Sequence, residues 1–130
     1  MQMSEVAKLV ERESVKEIAL QLTDISGMLH FLWVPAELLS KIVEDGIHVD
    51  GSSVGLASVN KSDLKLMPDP NTFAVMPVNL FPHKVARIVC DIFEPDSNRH
   101  LDSDPRFVLK RVFDQLGKTL GASVKYFASS

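Results

Sequence analysis

Apolar residues along this chain change period several times, and each change predicts an element. Between Ser4 and Arg12, the residues Val6, Leu9 and Val10 recur at helical spacing with charges between them. That pattern predicts a short amphipathic helix over residues 4–12, with Ser4 as its N-cap. From Val15 to Thr23 the period falls to two. Ile18, Leu20 and Leu22 alternate with Glu17, Ala19 and Gln21, the mark of a half-buried strand. Asp24-Ile25-Ser26-Gly27 reads as a turn, and Met28 to Val34 as the second strand of a hairpin. Leu29, Phe31 and Trp33 share one face of that strand, with Met28, His30, Leu32 and Val34 on the other. Both faces are therefore expected to be covered, with Trp33 in the core.

Pro35 suits the first turn of a helix, where its missing N–H costs nothing. Leu38, Leu39, Ile42 and Val43 form the apolar stripe of that helix, and Asp45-Gly46 ends it. From Ile47 to Asn60 the chain reads as loop, because Asp50-Gly51-Ser52-Ser53, Gly55, Ala57 and Ser58 are turn-forming or small. Leu64-Lys65-Leu66 alternates briefly before the turn Pro68-Asp69-Pro70-Asn71, and Phe73 to Met76 is a short strand. Val85 to Phe93 is the strongest strand, with Ala86, Ile88, Cys90 and Ile92 facing one way. Glu94 to Asp104 is polar and reads as a domain boundary. Asp104-Pro105 then opens a long helix with Leu109, Val112, Phe113, Leu116 and Leu120 along one stripe and Gly121 as its cap. Val124 to Phe127 looks like the opening of another strand. The fold class is α+β, a mixed sheet wrapped on one helix over residues 1–97. Residues 98–130 add a linker, a helix and the start of a strand, too little to bury that helix's own stripe.

Composition narrows the function classes. Seventeen acidic against fourteen basic residues give −3, which argues against a nucleic-acid footprint. One cysteine excludes an internal disulfide and a cysteine-based metal cluster. No apolar run approaches the roughly 20 residues that span a bilayer, and the first residues lack a signal peptide's apolar stretch. The expectation is a soluble, cytoplasmic chain with no membrane partner.

Few residues carry chemistry. Asp50-Gly51-Ser52-Ser53 permits a tight turn, and its carboxylate is suited to hold a cation or accept a proton; an ordinary surface turn is the plainer account. Asp63, just before a short strand, is either a second carboxylate near that loop or a solvated cap. His30, His48, His83 and His100 share no metal-ligand spacing, so structural or surface roles are expected. Cys90, between Ile88 and Ile92, is expected to be a buried thiol. Phosphate-binding glycine loops and nucleophile elbows are missing from the sequence.

Five stretches in order resemble the glutamine synthetase family. They are residues 20–27 (LQLTDISG), Val34-Pro35-Ala36-Glu37-Leu38, residues 44–53 (EDGIHVDGSS), residues 62–70 (SDLKLMPDP), and residues 86–96 (ARIVCDIFEPD) with Asp104-Pro105-Arg106. The resemblance implies an N-terminal β-grasp domain leading into a catalytic domain that residues 98–130 only begin. It implies an ATP-dependent glutamate–ammonia ligase that phosphorylates the glutamate γ-carboxylate and displaces phosphate with ammonia. Such enzymes form ring-shaped homo-oligomers in which one subunit's N-terminal domain lends its DGSS loop to a neighbour.

By resemblance, Asp50 and Ser53 are the catalytic pair at the ammonium site, with Gly51, Ser52 and Asp63 in support. ATP and Mg2+ or Mn2+ are implied for the complete enzyme only; this chain is expected to bind no cofactor or metal and to be inactive alone. Three features depart from the family pattern. The segment between Ser53 and Asp63 is one residue shorter, Lys61 stands where an acidic residue is usual, and the sequence ends before the family's Glu-x-Glu-Phe strand. Two alternatives follow: a related ligase joining glutamate to another amine, or a stand-alone β-grasp interaction module without catalysis.

Overall fold

The structure is a computed structural model and describes residues 2–56, 62–77 and 79–121. The expected strand over Val124–Phe127 lies outside the described residues, as do Ala57, Ser58 and Lys61. The element order is α1 (Met3–Arg12), β1 (Glu17–Thr23), β2 (Leu29–Pro35), α2 (Leu39–Asp45), β3 (Ile47–Asp50), β4 (Asp63–Pro68), β5 (Ala74–Val75), β6 (Val85–Phe93) and α3 (Pro105–Leu120). The strands form a mixed sheet in the order β2-β1-β6-β4-β3, with β5 also on β6. β6 runs parallel to β1 through its first half and antiparallel to β4 through its second. Its nine residues thus join the hairpin to the β3–β4 pair.

The core lies on one face of this sheet. Ile18, Leu20 and Leu22 of β1, Leu64 and Leu66 of β4, and Ile88, Cys90 and Ile92 of β6 meet Leu39 and Ile42 of α2 there. α1 also contributes, since Val6 is wholly buried in the same cluster. The mixed sheet thus packs on α2, as expected, with the N-terminal helix α1 adding Val6 to the same core. Helix α1 starts at Met3, not at a Ser4 cap, and the Glu5 carboxylate accepts the Gln2 N–H at 2.7 Å. That carboxylate satisfies one of the donors a helix start leaves open.

Several elements differ from their pattern. β1 is buried on both faces from Ile18 to Leu22, and it lies inside the sheet, paired with β2 on one edge and β6 on the other. Residues Ile47–Asp50 form a strand, not loop. Pairing with β4 sets Ile47 and Val49 inward and leaves His48 and Asp50 exposed. Asp63 is the first residue of β4 itself. Leu38 belongs to a 3₁₀ turn (Ala36–Leu38) ahead of α2 and is exposed, so it leaves the helix stripe. The face with Leu29, Phe31 and Trp33 is uncovered: Trp33 is 44% exposed, stacked on Phe31 and met edge-on by Phe81.

Residues 94–104 turn back onto the sheet. His100 bridges Phe93, and the Leu101 N–H donates to the Ile92 carbonyl at 2.8 Å. Helix α3 is attached by its polar side near its start, while Val108, Leu109, Val112, Leu116 and Leu120 face outward. Most of its hydrophobic stripe is exposed, while Phe113 is half-buried.

Candidate functional site

The Asp50 loop is built by close approach of β3 to β4. Gly46, which ends α2, has φ +78 and leaves no room for a side chain: a Cβ there would sit 2.7 Å from Met67 Sδ. Gly51, at the other end of β3, is buried and would place a Cβ 2.7 Å from Leu64 Cγ and 3.0 Å from the Ser62 carbonyl oxygen. Its N–H donates to that carbonyl at 2.6 Å. Glycine at both ends lets the strand lie flush on β4.

After β3 the chain enters a 3₁₀ turn, Gly51–Val54, with Asp50 as its cap. Asp50 Oδ1 accepts the Ser52 N–H at 3.0 Å and the Ser52 hydroxyl at 2.7 Å, while Oδ2 accepts the Ser53 hydroxyl at 3.1 Å. The Ser52 hydroxyl, its N–H, and the Ser53 and Ser62 hydroxyls together hold the carboxyl below its ordinary range. Each bond favours the charged form. Asp50 is thus a solvent-facing anion held by hydroxyl and amide donors, with no basic partner among the described residues.

Asp63 stands directly opposite Asp50 in the β3–β4 register, and both are exposed. The next pair on the same face is His48 with Lys65. Of the five residues expected at the site, Asp50, Gly51, Ser52 and Ser53 form the loop, and Asp63 joins it through strand pairing. Ser62 and Leu64 were missed from the sequence. Ser62 supplies a carbonyl to Gly51 and a hydroxyl to Asp50, and Leu64 is the wall on which Gly51 rests. Only the register puts them there.

The other candidates lie elsewhere. His30 meets Asp24 at 2.9 Å in the hairpin turn, His83 pairs with Glu17, and His100 stacks between Phe93 and Phe107. The Cys90 thiol is buried, which pushes its pKa up to about 12 and leaves it unreactive. Among the described residues no group of three metal-ligating side chains occurs, and no helix is long and apolar enough to cross a membrane. A poised anion of this kind can attract a cation and, once drier, accept its proton.

Comparison with known proteins identifies the family. Residues 14–95 match the family model described as glutamine synthetase, beta-Grasp domain. The chain is 38% identical over 128 residues to the glutamine synthetase of Thermotoga maritima, covering 94% of this chain and 29% of that one. It is 40% identical over 119 residues to the Thermus thermophilus glutamine synthetase, covering 88% and 26%. Among solved structures it resembles Plasmodium falciparum glutamine synthetase with a TM-score of 0.78 at 19% identity, covering 92% of this chain and 23% of the other. The chain therefore spans less than a third of the length of these curated relatives.

Proposed function

The chain belongs to the glutamine synthetase family, and we propose that it serves as the N-terminal domain of an ATP-dependent glutamate–ammonia ligase, lending its Asp50 loop to the ammonium site of a neighbouring subunit. The observation that carries this reading is the state of Asp50. It is an exposed carboxylate, ionised at neutral pH, presented at the end of β3 opposite a second acidic residue. Two facing acids are an unfavourable pair in a free surface strand. They become favourable when a cation sits over them.

In this reading Asp50 first draws ammonium by charge. Covering by a neighbouring subunit then removes water, which raises the carboxyl's pKa from its depressed value and makes it a better base. Asp50 takes the proton, and neutral ammonia is left with a lone pair for attack. Ser53 lines the site and Ser52 and Ser62 orient the carboxylate; Gly51 sets the approach and Asp63 adds negative potential. ATP would supply the activating phosphoryl group and a divalent metal its charge neutralisation. Among the described residues no group of three metal-ligating side chains occurs to hold the metal. In this reading ATP and metal belong to sequence that relatives have and this chain does not span. A homo-oligomeric ring in the cytoplasm is part of the same proposal.

Rates with different amines test it. The complete synthetase should turn over ATP and glutamate with ammonium far faster than with a primary alkylamine. A preference for the alkylamine would favour a related amine ligase. Synthesis by the isolated chain would show that the site is not shared.

A further inference from the structure

Three motifs that the ammonium site leaves unused meet at one place. Asp69 follows the end of β4, Asp91 lies in β6, and Arg106 is in the first turn of α3. One Arg106 Nη is paired with Asp69, and its Nε lies 2.9 Å from Asp91 Oδ1. Lys110, one helical turn on, lies 2.8 Å from the same Asp91 oxygen. The Arg106, Asp69 and Asp91 side chains are 22%, 18% and 16% exposed, so water screens this cluster less than a surface ion pair. A guanidinium suits the place, because it lies within ion-pair distance of two carboxylates at once, hydrogen-bonded to Asp69 through Nη and close to Asp91 at Nε without a hydrogen bond there, where an ammonium is a single point charge. Asp104 makes a second attachment: its buried carboxylate accepts the Arg106 N–H at 3.0 Å and the Ile92 N–H of β6 at 3.2 Å.

β4 connects this cluster to the Asp50 loop. Asp63, opposite Asp50, begins the strand, and Asp69 follows its last residue. β3 and β6 flank β4 on either side, so the strand is stiff. Helix α3 meets the sheet through its charged side and through Phe107, which stacks on His100. The ion pairs and the Asp104 bonds are the polar part of that attachment.

We propose that Arg106 is a positioning residue: by clamping Asp69 and Asp91 it fixes α3 relative to the Asp50 loop. The kinetic consequence rests on the ammonium reading above; the mechanical one rests on geometry alone. Spin labels at two exposed positions, introduced as His48→Cys and Gln115→Cys, read the distance between β3 and α3 in this chain. Buried Cys90 stays unlabelled. The parent is expected to give one narrow distance, Arg106→Met a broad one with unchanged circular dichroism, and Arg106→Lys an intermediate width, because an ammonium is a single point charge between two carboxylates. Should Arg106→Met fail to fold, Asp69→Asn removes one of the two anchors and reads the same distance.

In the complete synthetase, Arg106→Met should raise the KM for ammonium about tenfold while leaving those for glutamate and ATP within about twofold, with Arg106→Lys recovering only part of the loss. A distance left narrow in Arg106→Met overturns the joint. A broadened distance with an unchanged ammonium KM, beside an Asp50→Ala variant that does raise it, overturns the positioning role. If Asp50→Ala also leaves the ammonium KM unchanged, the ammonium reading fails and the joint is decided by the distance.

Discussion

Asp50 and Asp63 face each other across β3 and β4, two carboxylates on one exposed side of an antiparallel pair. Opposed like charges weaken a strand pair. Asp63→Asn is therefore expected to raise the urea midpoint of the isolated domain slightly at pH 7. The gain should shrink in high salt, which screens exposed charges, and vanish once both carboxyls are protonated. A loss of stability at pH 7 would mean that Asp63 makes a favourable contact instead.

Asp50 titrates below its ordinary 3.8, with the Ser52 hydroxyl as the largest cause. A depressed carboxyl stabilises the fold above its unfolded value, and that contribution is lost as pH falls through the folded value. Side-chain NMR titration should place the Asp50 midpoint below 3.8. Ser52→Ala should move it upward, toward 3.8, while leaving the fold intact. An unmoved midpoint would remove Ser52 as the cause.

Gly51→Ala should cost about 1–3 kcal/mol, since the added methyl meets Leu64 and the Ser62 carbonyl. In a Leu64→Ala background the same change should cost less, because the cavity accepts the methyl. Urea denaturation of the four proteins in this cycle measures the coupling. Additive losses would show that Leu64 is not what excludes a side chain at Gly51.

Asp104 is buried, and burial raises its carboxyl above the ordinary 3.8 even though two N–H groups bond it. The folded chain then holds this proton more firmly than the unfolded chain does. That part of the stability is complete below 3.8 and is lost as pH rises through the raised value. Asp104→Asn should remove this slope from the stability–pH curve. It should also cost about 1–3 kcal/mol, because an amide has one acceptor oxygen for two donors. Unfolding curves measured from about one pH unit below the ordinary carboxyl value up to neutrality would show a slope of opposite sign if the hydrogen bonds outweighed burial.

Much of the fold was legible because its longest elements carry clean periods. The alternation of Ala86, Ile88, Cys90 and Ile92 gave β6, and Gly27 with the runs beside it gave the hairpin. β3 was not legible. It has four residues and ends in Asp-Gly-Ser-Ser, whose turn chemistry hides a strand that exists only through pairing with β4. Trp33 was misplaced for a related reason, since aromatic size argues for burial but cannot say whether a second layer covers the sheet. At the site, Asp50 and its serines were visible as neighbours in sequence. Ser62 and Leu64 enter through register, and Arg106 through a tertiary meeting of three separate segments, which no local pattern encodes.

The central claim is that Asp50 serves ammonium, and steady-state kinetics of Asp50→Ala in the complete synthetase tests it most directly. The variant should lose ammonium-dependent turnover by about 10²- to 10⁴-fold, the range for a general base, while the KM values for ATP and glutamate stay near those of the parent. Turnover and ammonium KM equal to the parent's would contradict it.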